Sequence, residues 1–335
     1  MGQSRESVRR DSRLKLLRIV ACACLSLPGA WMPAIGAAYP VKPIRLVVGF
    51  VAGGPVDITA RAIGSRLTGV LGQPIVIDNR SGASGVIATE LVAKSSPDGH
   101  TLLMCSASNA ITAALSAGAA RNFLRDITPV SKVAIITSIL VVNPSLPAES
   151  VKDLIALAKA RPGQLRYAST GIGSSSHLAG EMFKIASEID IVHIPYKGGA
   201  PAAIDLLSGQ VQLSFISAPA TMTYIKSGRV RALAVTNAKR SVLLPDLPTI
   251  SEAGVAGYEF EGWHGMCAPA ATPRAIIAQL YRELATITGK RELIEFLAQG
   301  GAEAVAVAPD AFASELRAEI TKWAAVARST GIKLE

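Results

Sequence analysis

The sequence predicts an α/β protein of two lobes, each built on a mainly parallel sheet. With 335 residues the chain is long for one ordinary domain and long enough to form two cores. Half of the residues are hydrophobic while only 5% are aromatic, a mixture that suits Val/Ile-rich parallel strands covered by helices. From Tyr39 onward, strand-like and helix-like segments alternate in two series, which is the pattern of βαβ units.

The first series begins with a buried strand over 44–50. Asp57 is then expected to open a helix whose apolar residues recur at helical spacing and which stops at Gly72 and Pro74. Further strands are predicted over 74–78 and 101–106, with a helix over 85–94.

A second series starts near residue 139. Strands are predicted over 139–143, 165–168, 191–194, 211–215 and 230–235, and helices over 150–160, 176–186, 201–207 and 219–226. Three more helices, over 273–286, 290–299 and 309–329, exceed what the second lobe needs. We therefore expect the chain to cross back near 258–269. The predicted organisation is a signal peptide over 1–38, a first lobe over 39–140 plus 259–335, and a second lobe over 141–258.

The first 38 residues have the layout of a secretory signal peptide, which predicts a periplasmic protein. A basic stretch ends at Arg18, an apolar run follows, and small residues at 36–38 precede a cut before Tyr39. Two alternatives are a membrane anchor, disfavoured by a short run broken by two prolines, and lipidation at Cys22, disfavoured by the nearby Arg18.

The formal charge of +9 is concentrated at the N-terminus. Residues 1–38 hold six of the 34 Lys/Arg and two of the 25 Asp/Glu, so 28 basic and 23 acidic residues remain. Since no basic cluster interleaved with aromatic residues lies in that remainder, nucleic-acid binding is not expected. The mild positive balance suits an anionic ligand.

Four cysteines are present, and Cys22 and Cys24 leave with the signal. Cys105 and Cys267 could pair in an oxidising compartment. Because each lies in an apolar segment, two buried free thiols are favoured over a disulfide.

Two glycine-containing turns, over 50–57 and 168–177, each follow a strand and precede a helix. Glycines let a ligand approach backbone N–H groups, and a helix N-terminus offers unpaired donors with a partial positive charge. Two such turns, one on each lobe, can hold an anion between them. Taken singly, each could equally be an ordinary capped turn, with Asp57 as the N-cap.

Three more segments lie at strand ends or crossovers, where ligands of open α/β sheets bind. They are the turn Ser106–Asn109, the segment Pro195–Gly199, and the crossover 261–265, in which Trp263 either walls the cleft or packs in the core.

Enzyme chemistry finds little support in the sequence. Ser174 and His177 could be drawn as a hydrolase pair, but there is no Gly-x-Ser-x-Gly elbow. The four histidines lack metal-ligand spacing, and His193 is interpreted as a satisfied core residue. Gly171-x-Gly173 is only half of a dinucleotide fingerprint. We therefore expect no catalytic residue, metal or cofactor, and keep an exported Ser/His hydrolase as the alternative function.

Many short stretches, in order along the mature chain, carry a family resemblance. They are Tyr39-Pro-Val-Lys-Pro-Ile-Arg-Leu-Val-Val, Gly53-Gly54 with Asp57 and Ala60-Arg61, Leu71-Gly72-Gln73-Pro74, Asp78-Asn79-Arg80, Ser96-Pro97-Asp98-Gly99-His100, Val142-Asn143-Pro144, Arg161-Pro162-Gly163, His193-Ile194-Pro195-Tyr196-Lys197-Gly198, Arg231-Ala232-Leu233-Ala234-Val235-Thr236 and Leu247-Pro248-Thr249. With these, the chain resembles the Bug-type substrate-binding receptors of tripartite tricarboxylate transporters.

The resemblance implies a periplasmic binding protein of the type II, Venus-flytrap kind, with a ligand carboxylate held by backbone N–H groups, hydroxyls and water. It implies a small carboxylated solute as ligand, transporter subunits or a sensor domain as further partners, and a monomer. The candidate ligand-binding residues are Gly53, Gly54, Val56, Asp57, Ser106, Ser108, Asn109, Thr170, Gly171, Gly173, Ser174, Ser175, Tyr196, Lys197, Ile216 and Ser217.

Two departures from the family pattern bear on the ligand. The family loop usually reads Pro-Gly-Gly-x-Thr-Asp, whereas here Val56 lacks the hydroxyl and Pro55 has no N–H. Family members often carry an acid after the strand that ends near Phe215, whereas this chain has Ile216-Ser217. An amino-acid ligand is therefore disfavoured relative to one that carries only carboxylates.

Overall fold

Strands and helices alternate along the chain and build two sheets. The computed structural model describes residues 39–115, 119–172, 174–241 and 244–330, so the predicted signal peptide lies outside the described residues. The strands are β1 Ile44–Val48, β2 Ile75–Asn79, β3 Thr101–Ser106, β4 Ile127–Ile136, β5 Ser138–Val142, β6 Arg166–Ser169, β7 Val192–Pro195, β8 Leu213–Ser217, β9 Arg231–Val235, β10 Gly262–Pro269 and β11 Ala302–Val307.

The helices follow the strands in the predicted alternation. They are α1 Pro55–Leu71, α2 Val86–Ala93, α3 Ala107–Leu115, α4 Ala119–Asp126, α5 Val151–Ala160, α6 Ser175–Ser187, α7 Gly199–Ser208, α8 Ala218–Lys226, α9 Arg274–Thr288, α10 Arg291–Gln299 and α11 Pro309–Thr330.

Each sheet runs mostly in one direction. In the first sheet, of order β11-β4-β10-β3-β1-β2, β1 pairs in parallel with β2 and β3, and β10 is inserted antiparallel between β3 and β4. The second sheet has the order β7-β6-β8-β5-β9, and β5 is the strand that runs against its neighbours. The prediction of two mainly parallel sheets is confirmed.

The chain passes from one sheet to the other twice, and the two crossings touch. It leaves the first sheet at Thr137, between β4 and β5, and returns between β9 and β10. The Thr236 N–H donates to the Ser138 carbonyl at 2.9 Å, and the Phe260 N–H donates to the Thr236 carbonyl at 2.9 Å. The exact lobe limits stay a prediction.

Several local predictions are confirmed by the caps. α1 ends at Gly72, whose φ of +69° suits glycine, and the Ser150 hydroxyl caps α5 by accepting from the Asp153 N–H at 3.1 Å. Cys105 and Cys267 are free and buried on the neighbouring strands β3 and β10. The two cysteines are therefore free thiols, the state that the sequence favoured over a disulfide.

Other expectations were wrong or incomplete. β3 leads directly into α3, so Ser106–Asn109 is a strand-to-helix junction rather than a turn. The crossover 258–269 contains β10, a strand buried along its whole length, and β4 and β11 were not anticipated. Within the described ranges, no helix is long and apolar enough to span a bilayer, and no group of three or more His, Cys, Asp or Glu could hold a metal ion.

Candidate functional site

Asp57 holds the loop after β1 in place. Gly54, not Asp57, is the N-cap of α1, and Pro55 begins the helix, so the prediction of Asp57 as the cap was wrong. From the third helical position the Asp57 carboxylate reaches back to the Gly53 N–H at 2.8 Å. It accepts further hydrogen bonds from Arg61 Nε at 2.8 Å and Asn79 Nδ2 at 2.9 Å.

These contacts decide what Asp57 can do. Its side chain is 1% exposed. Burial alone would raise the pKa of its carboxyl group, but the hydrogen bonds from Arg61, Gly53 and Asn79 hold that pKa below the usual range. Asp57 is thus an ionised, fully engaged group, and its negative charge is matched by Arg61 rather than offered to a ligand.

The rest of this loop presents backbone and small residues. Gly53 is exposed and has a φ of +78°, a conformation that suits glycine. Val56 is 6% exposed and lies in the core, so only its backbone is available to a solute.

The junction of β3 and α3 is organised by Asn109. Its side-chain oxygen accepts from the Ser106 N–H at 2.9 Å, and its Nδ2 donates to Thr89 Oγ1 at 3.1 Å. A Cβ on Gly85 would lie 2.6 Å from that Nδ2, so Gly85 allows the close approach. Asn109 therefore ties α3 to α2 and serves the scaffold, while Ser108 stands beside it at the start of α3.

The loop after β6 is closed by its own hydroxyls. Ser174 is the N-cap of α6, with its Oγ accepting from the His177 N–H at 3.3 Å. The Ser176 Oγ accepts from the Thr170 N–H at 2.9 Å. Gly171 takes a φ of +135°, and Gly173 lies outside the described residues.

One contact brings the two loop systems together. Ser108 Oγ, at the start of α3, lies 3.4 Å from Ser175 Oγ, at the start of α6. The N-terminus of α3, on the first sheet, therefore meets the N-terminus of α6, on the second sheet, through side-chain hydroxyls. Because β1 and β3 pair in parallel, the Gly53 loop emerges from the same edge of the first sheet as Ser108.

The remaining candidates follow β7 and end β8. The Tyr196 hydroxyl donates to Asp205 Oδ2 at 2.6 Å, and burial together with this bond raises its pKa to about 12. Lys197 is exposed. Ile216 and Ser217 are half-buried at the carboxyl end of β8, and the Ser217 carbonyl accepts from Thr221 Oγ1 at 3.0 Å.

Trp263 packs in the core of the first sheet. It is 4% exposed, meets Phe312 edge to face at 5.2 Å, and donates from Nε1 to Glu319 Oε2 at 2.6 Å. Its neighbour His264 is buried as well, with Nδ1 2.8 Å from Thr59 Oγ1, and burial lowers the pKa of His264 to about 3. These contacts support the interpretation that Trp263 packs in the core rather than forming a wall of the cleft.

A cavity of about 460 Å³ lies elsewhere in the first sheet's helical layer. It is lined by residues of α2, α3, α4 and β4, among them Thr89, Lys94, Phe123 and Arg125. It shares only Asn109 with the predicted ligand set. This cavity therefore does not coincide with the predicted ligand set, whose two loop systems meet at the Ser108–Ser175 junction.

Sequence reasoning missed the residues that shape the loops from behind. Arg61 and Asn79 complete the Asp57 cluster, and Ser169 with His193 supports the second loop at an Oγ–Nε2 distance of 2.6 Å. The i,i+4 spacing of Asp57 and Arg61 was a usable signal. The pairing of Ser169 with His193 needs the parallel register of β6 and β7, which no local pattern contains.

Two α/β sheets joined by two crossings, with helix N-termini that meet between them, form the two-lobed architecture of periplasmic binding proteins. The family profile described as "Tripartite tricarboxylate transporter family receptor" matches residues 59–332. Over 313 residues the chain is 38% identical to Protein BugT of Bordetella pertussis, covering 93% of this chain and 96% of that protein. This protein belongs to the tripartite tricarboxylate transporter receptor family.

Solved structures agree. The structure of Rpa4515 from R. palustris with adipate has a TM-score of 0.80 at 40% identity, covering 88% of this chain and 99% of that chain. The periplasmic binding protein BugD has a TM-score of 0.78 at 34% identity, covering 89% and 100%. MatC from Rhodopseudomonas palustris with bound malate has 0.76 at 29%, covering 86% and 99%. The resemblance and the two-lobed binding-protein fold are confirmed.

Membership of a receptor family also distinguishes between the two candidate functions, a solute-binding receptor and an exported hydrolase. The family binds substrates and does not turn them over, so the expectation of a non-enzyme is confirmed. The hydrolase alternative fails on geometry too, because the Ser174 hydroxyl caps α6 and the His177 ring stacks on His193 at 4.0 Å.

Proposed function

We propose that this protein is a periplasmic receptor that captures a small carboxylate-bearing solute where the two sheets meet. The observation that carries the proposal is the 3.4 Å contact between Ser108 Oγ and Ser175 Oγ. It joins two helix N-termini, and the loops nearby contain Gly53 and Gly171 with positive φ. Helix N-termini and exposed glycine backbone favour anions.

The charges of the described loops support an anionic ligand held mainly by neutral groups. Asp57 is compensated by Arg61, and apart from Lys197 the other candidates offer hydroxyls, one amide, backbone groups and apolar side chains. Lys197 is the cation among the candidate residues, and it is exposed. Adipate and malate, found with two of the related structures, are small carboxylates of the class that the proposal assigns.

The half-buried Ile216 argues against an amino-acid ligand. A ligand ammonium group placed beside an aliphatic side chain would lose hydration without gaining an opposite charge. A solute whose only charges are carboxylates avoids that cost.

Export and delivery complete the proposal. Residues 1–38 direct the chain to the periplasm and are removed, the lobes comprise 39–140 with 259–335 and 141–258, and the mature monomer presents its solute to transporter subunits or to a sensor domain. All of these assignments rest on the sequence pattern and on the family, whose members include a periplasmic binding protein.

The test is ligand binding by the mature chain. Thermal-shift screening followed by calorimetry should include adipate, malate, benzoate, aspartate and glutamate, with adipamide as the uncharged control for adipate. We expect at least one amine-free carboxylate to raise the melting temperature, because a ligand that binds only the folded state stabilises it. Stabilisation by aspartate or glutamate alone, or equal stabilisation by adipamide and adipate, would refute the proposal.

Two matched variants locate the binding. Removing one hydroxyl in Ser175→Ala should weaken binding about two- to tenfold, the equivalent of a hydrogen bond of about 0.5–1.5 kcal/mol. Ser227→Ala is the control, since Ser227 Oγ bonds the Thr223 carbonyl at the exposed far end of α8. If both variants bind as the parent does, the solute lies elsewhere.

A further inference from the structure

Three aromatic rings are stacked beneath the loop that follows β6. The rings of Tyr167 and His193 lie 4.9 Å apart with planes at 26°, and those of His193 and His177 lie 4.0 Å apart at 21°. Tyr167 is on β6, His193 on β7 and His177 on α6, so the stack joins three elements that flank the loop. A Cβ at Gly180 of α6 would overlap the Tyr167 ring, and glycine there admits the stack.

The middle ring of this stack holds Ser169, the last residue of β6, from which the loop starts. His193 Nε2 lies 2.6 Å from Ser169 Oγ, and Ser169 is 1% exposed. The same Oγ accepts from the Gly171 N–H at 3.1 Å and lies 3.2 Å from the Gly171 carbonyl, to which it donates. With its proton used in that way, Ser169 accepts from an Nε2–H of His193.

Gly171 is the residue on which this network acts. Its φ of +135° sets the direction in which the chain continues toward the start of α6, and a Cβ there would lie 3.4 Å from the Tyr196 carbonyl. Both the N–H and the carbonyl of Gly171 are oriented by one hydroxyl, and one imidazole orients that hydroxyl.

We infer that His193 is a positioning residue for solute binding, acting through Ser169 to hold the Gly171 backbone in its receptive conformation. The inference rests on the proposed function, in which this loop contacts the solute. His193 itself need not touch the ligand.

The surroundings of His193 keep its ring neutral. Burial first, and then the charges of His177 and Lys184 on α6, lower its pKa to about 3. Burial also lowers the pKa of His177. Glu181 of α6 faces Tyr167, whose hydroxyl donates to it at 2.7 Å, and Lys184 pairs with Glu181 at 3.3 Å. A neutral ring keeps one N–H donor, which is what the Ser169 contact requires.

The first experiment measures how well the loop is ordered in the absence of any ligand. Hydrogen exchange of peptides covering 169–176 is compared in the parent and in His193→Ala and His193→Gln. We expect faster exchange in His193→Ala and near-parent exchange in His193→Gln, because glutamine keeps an N–H donor of similar reach. Parent-like exchange in His193→Ala overturns the inference.

The second experiment reads solute affinity by calorimetry, with whichever carboxylate binds the parent. Losing one buried hydrogen bond predicts about three- to tenfold weaker binding for His193→Ala and recovery in His193→Gln. Asn143→Ala is the matched control. Asn143 is also a buried polar residue of this sheet, donating to the Leu206 carbonyl at 2.7 Å, but it follows the antiparallel strand β5 and so lies at the opposite edge.

The outcomes separate the two claims. If no carboxylate binds the parent, the proposed function fails, and the exchange experiment still decides whether His193 orders the loop. If the parent binds and His193→Ala binds equally well, the positioning role fails alone. An equal loss in Asn143→Ala, or no recovery in His193→Gln, shows a general stability effect and also overturns the inference.

Discussion

Replacing Asp57 by asparagine should destabilise the first sheet's lobe although no atom is deleted. The carboxylate accepts from Gly53 N and Arg61 Nε through Oδ2 and from Asn79 Nδ2 through Oδ1. Asparagine keeps one acceptor oxygen and places an NH₂ group at the other position. At least one donor then faces another donor inside a site that is 1% exposed.

The magnitude follows from that mismatch. Arg61 is half-exposed and can turn to water, and Gly53 lies on an exposed loop, so neither donor is stranded. Asn79 Nδ2 keeps its bond to the Phe50 carbonyl at 3.1 Å but loses the Asp57 acceptor, and the introduced NH₂ group that faces it is a buried donor without an acceptor, which costs about 1–3 kcal/mol. We therefore expect Asp57→Asn to lower the free energy of unfolding by about 2 kcal/mol.

The chain offers a matched control in Asp153. It occupies the same third position of α5 and reaches back four residues to the Glu149 N–H at 3.1 Å, but it is exposed, and its side-chain partner is the neighbouring Ser150 hydroxyl in place of the Arg61 and Asn79 donors that surround Asp57. Urea unfolding, followed by the fluorescence of the buried Trp263 and Trp323, should show a much smaller loss for Asp153→Asn. A loss as large as that of Asp57→Asn would refute the reasoning.

The pH dependence of unfolding gives a second test of the same variant. Hydrogen bonds that outweigh burial lower the pKa of Asp57, so its stabilisation is present above the unfolded value near ~3.9 and is lost as the pH falls through the folded value. The difference between parent and Asp57→Asn should be full at pH 7 and shrink below about pH 4. A difference that stays constant down to pH 3 would contradict the assignment of an ionised Asp57.

Two further predictions concern packing and a buried acid. A Cβ at Gly180 would overlap the Tyr167 ring, so Gly180→Ala should cost about 1–3 kcal/mol of unfolding free energy, whereas Gly69→Ala, also in a helix but with nothing within 4 Å of the added Cβ, should gain about 0.5–1 kcal/mol. Thermal denaturation checks the pair, and equal shifts would contradict it. Burial raises the pKa of Glu319 to about 7 despite the hydrogen bond from Trp263, so the native state holds a proton that the unfolded chain releases, and stability should fall between about pH 4.5 and pH 7. Glu319→Gln should remove that decline in a pH series of unfolding curves, and a decline that persists in it would assign the effect to another group.

The elements that the sequence predicted well are those whose signal is local. The start of α5 is carried by Ser150, the end of α1 by Gly72, and β3 by the apolar run over 102–105. Each of these depends on residues within one turn or one strand, so pattern and capping chemistry were sufficient.

The missed strands depend on partners far along the chain. β4 contains Lys132, a poor strand signal until its ammonium group is seen to lie 3.0 Å from Glu261 and 2.9 Å from Glu315. β10 contains Gly265, where a Cβ would lie 2.5 Å from the Phe312 ring of α11. Lys132 and Gly265 therefore suit their tertiary contacts although they weaken the local strand pattern. Their presence in strands is explained only by the assembled sheet.

The candidate site was predicted from strand ends, but the roles of its polar side chains differ from what their chemistry suggests in isolation. Asp57 and Asn109 were candidates for ligand contact, yet each is occupied by scaffold hydrogen bonds at 2.8–3.1 Å. Ser174 is likewise committed to capping α6. The conspicuous polar residues thus fix the shape of the loops. The proposed function therefore assigns recognition to backbone N–H groups and to hydroxyls such as Ser108 and Ser175 at the junction. Under the proposed function, substitutions at apolar candidates such as Ile216 would change the preferred solute, while the residues that hold the loops stay the same.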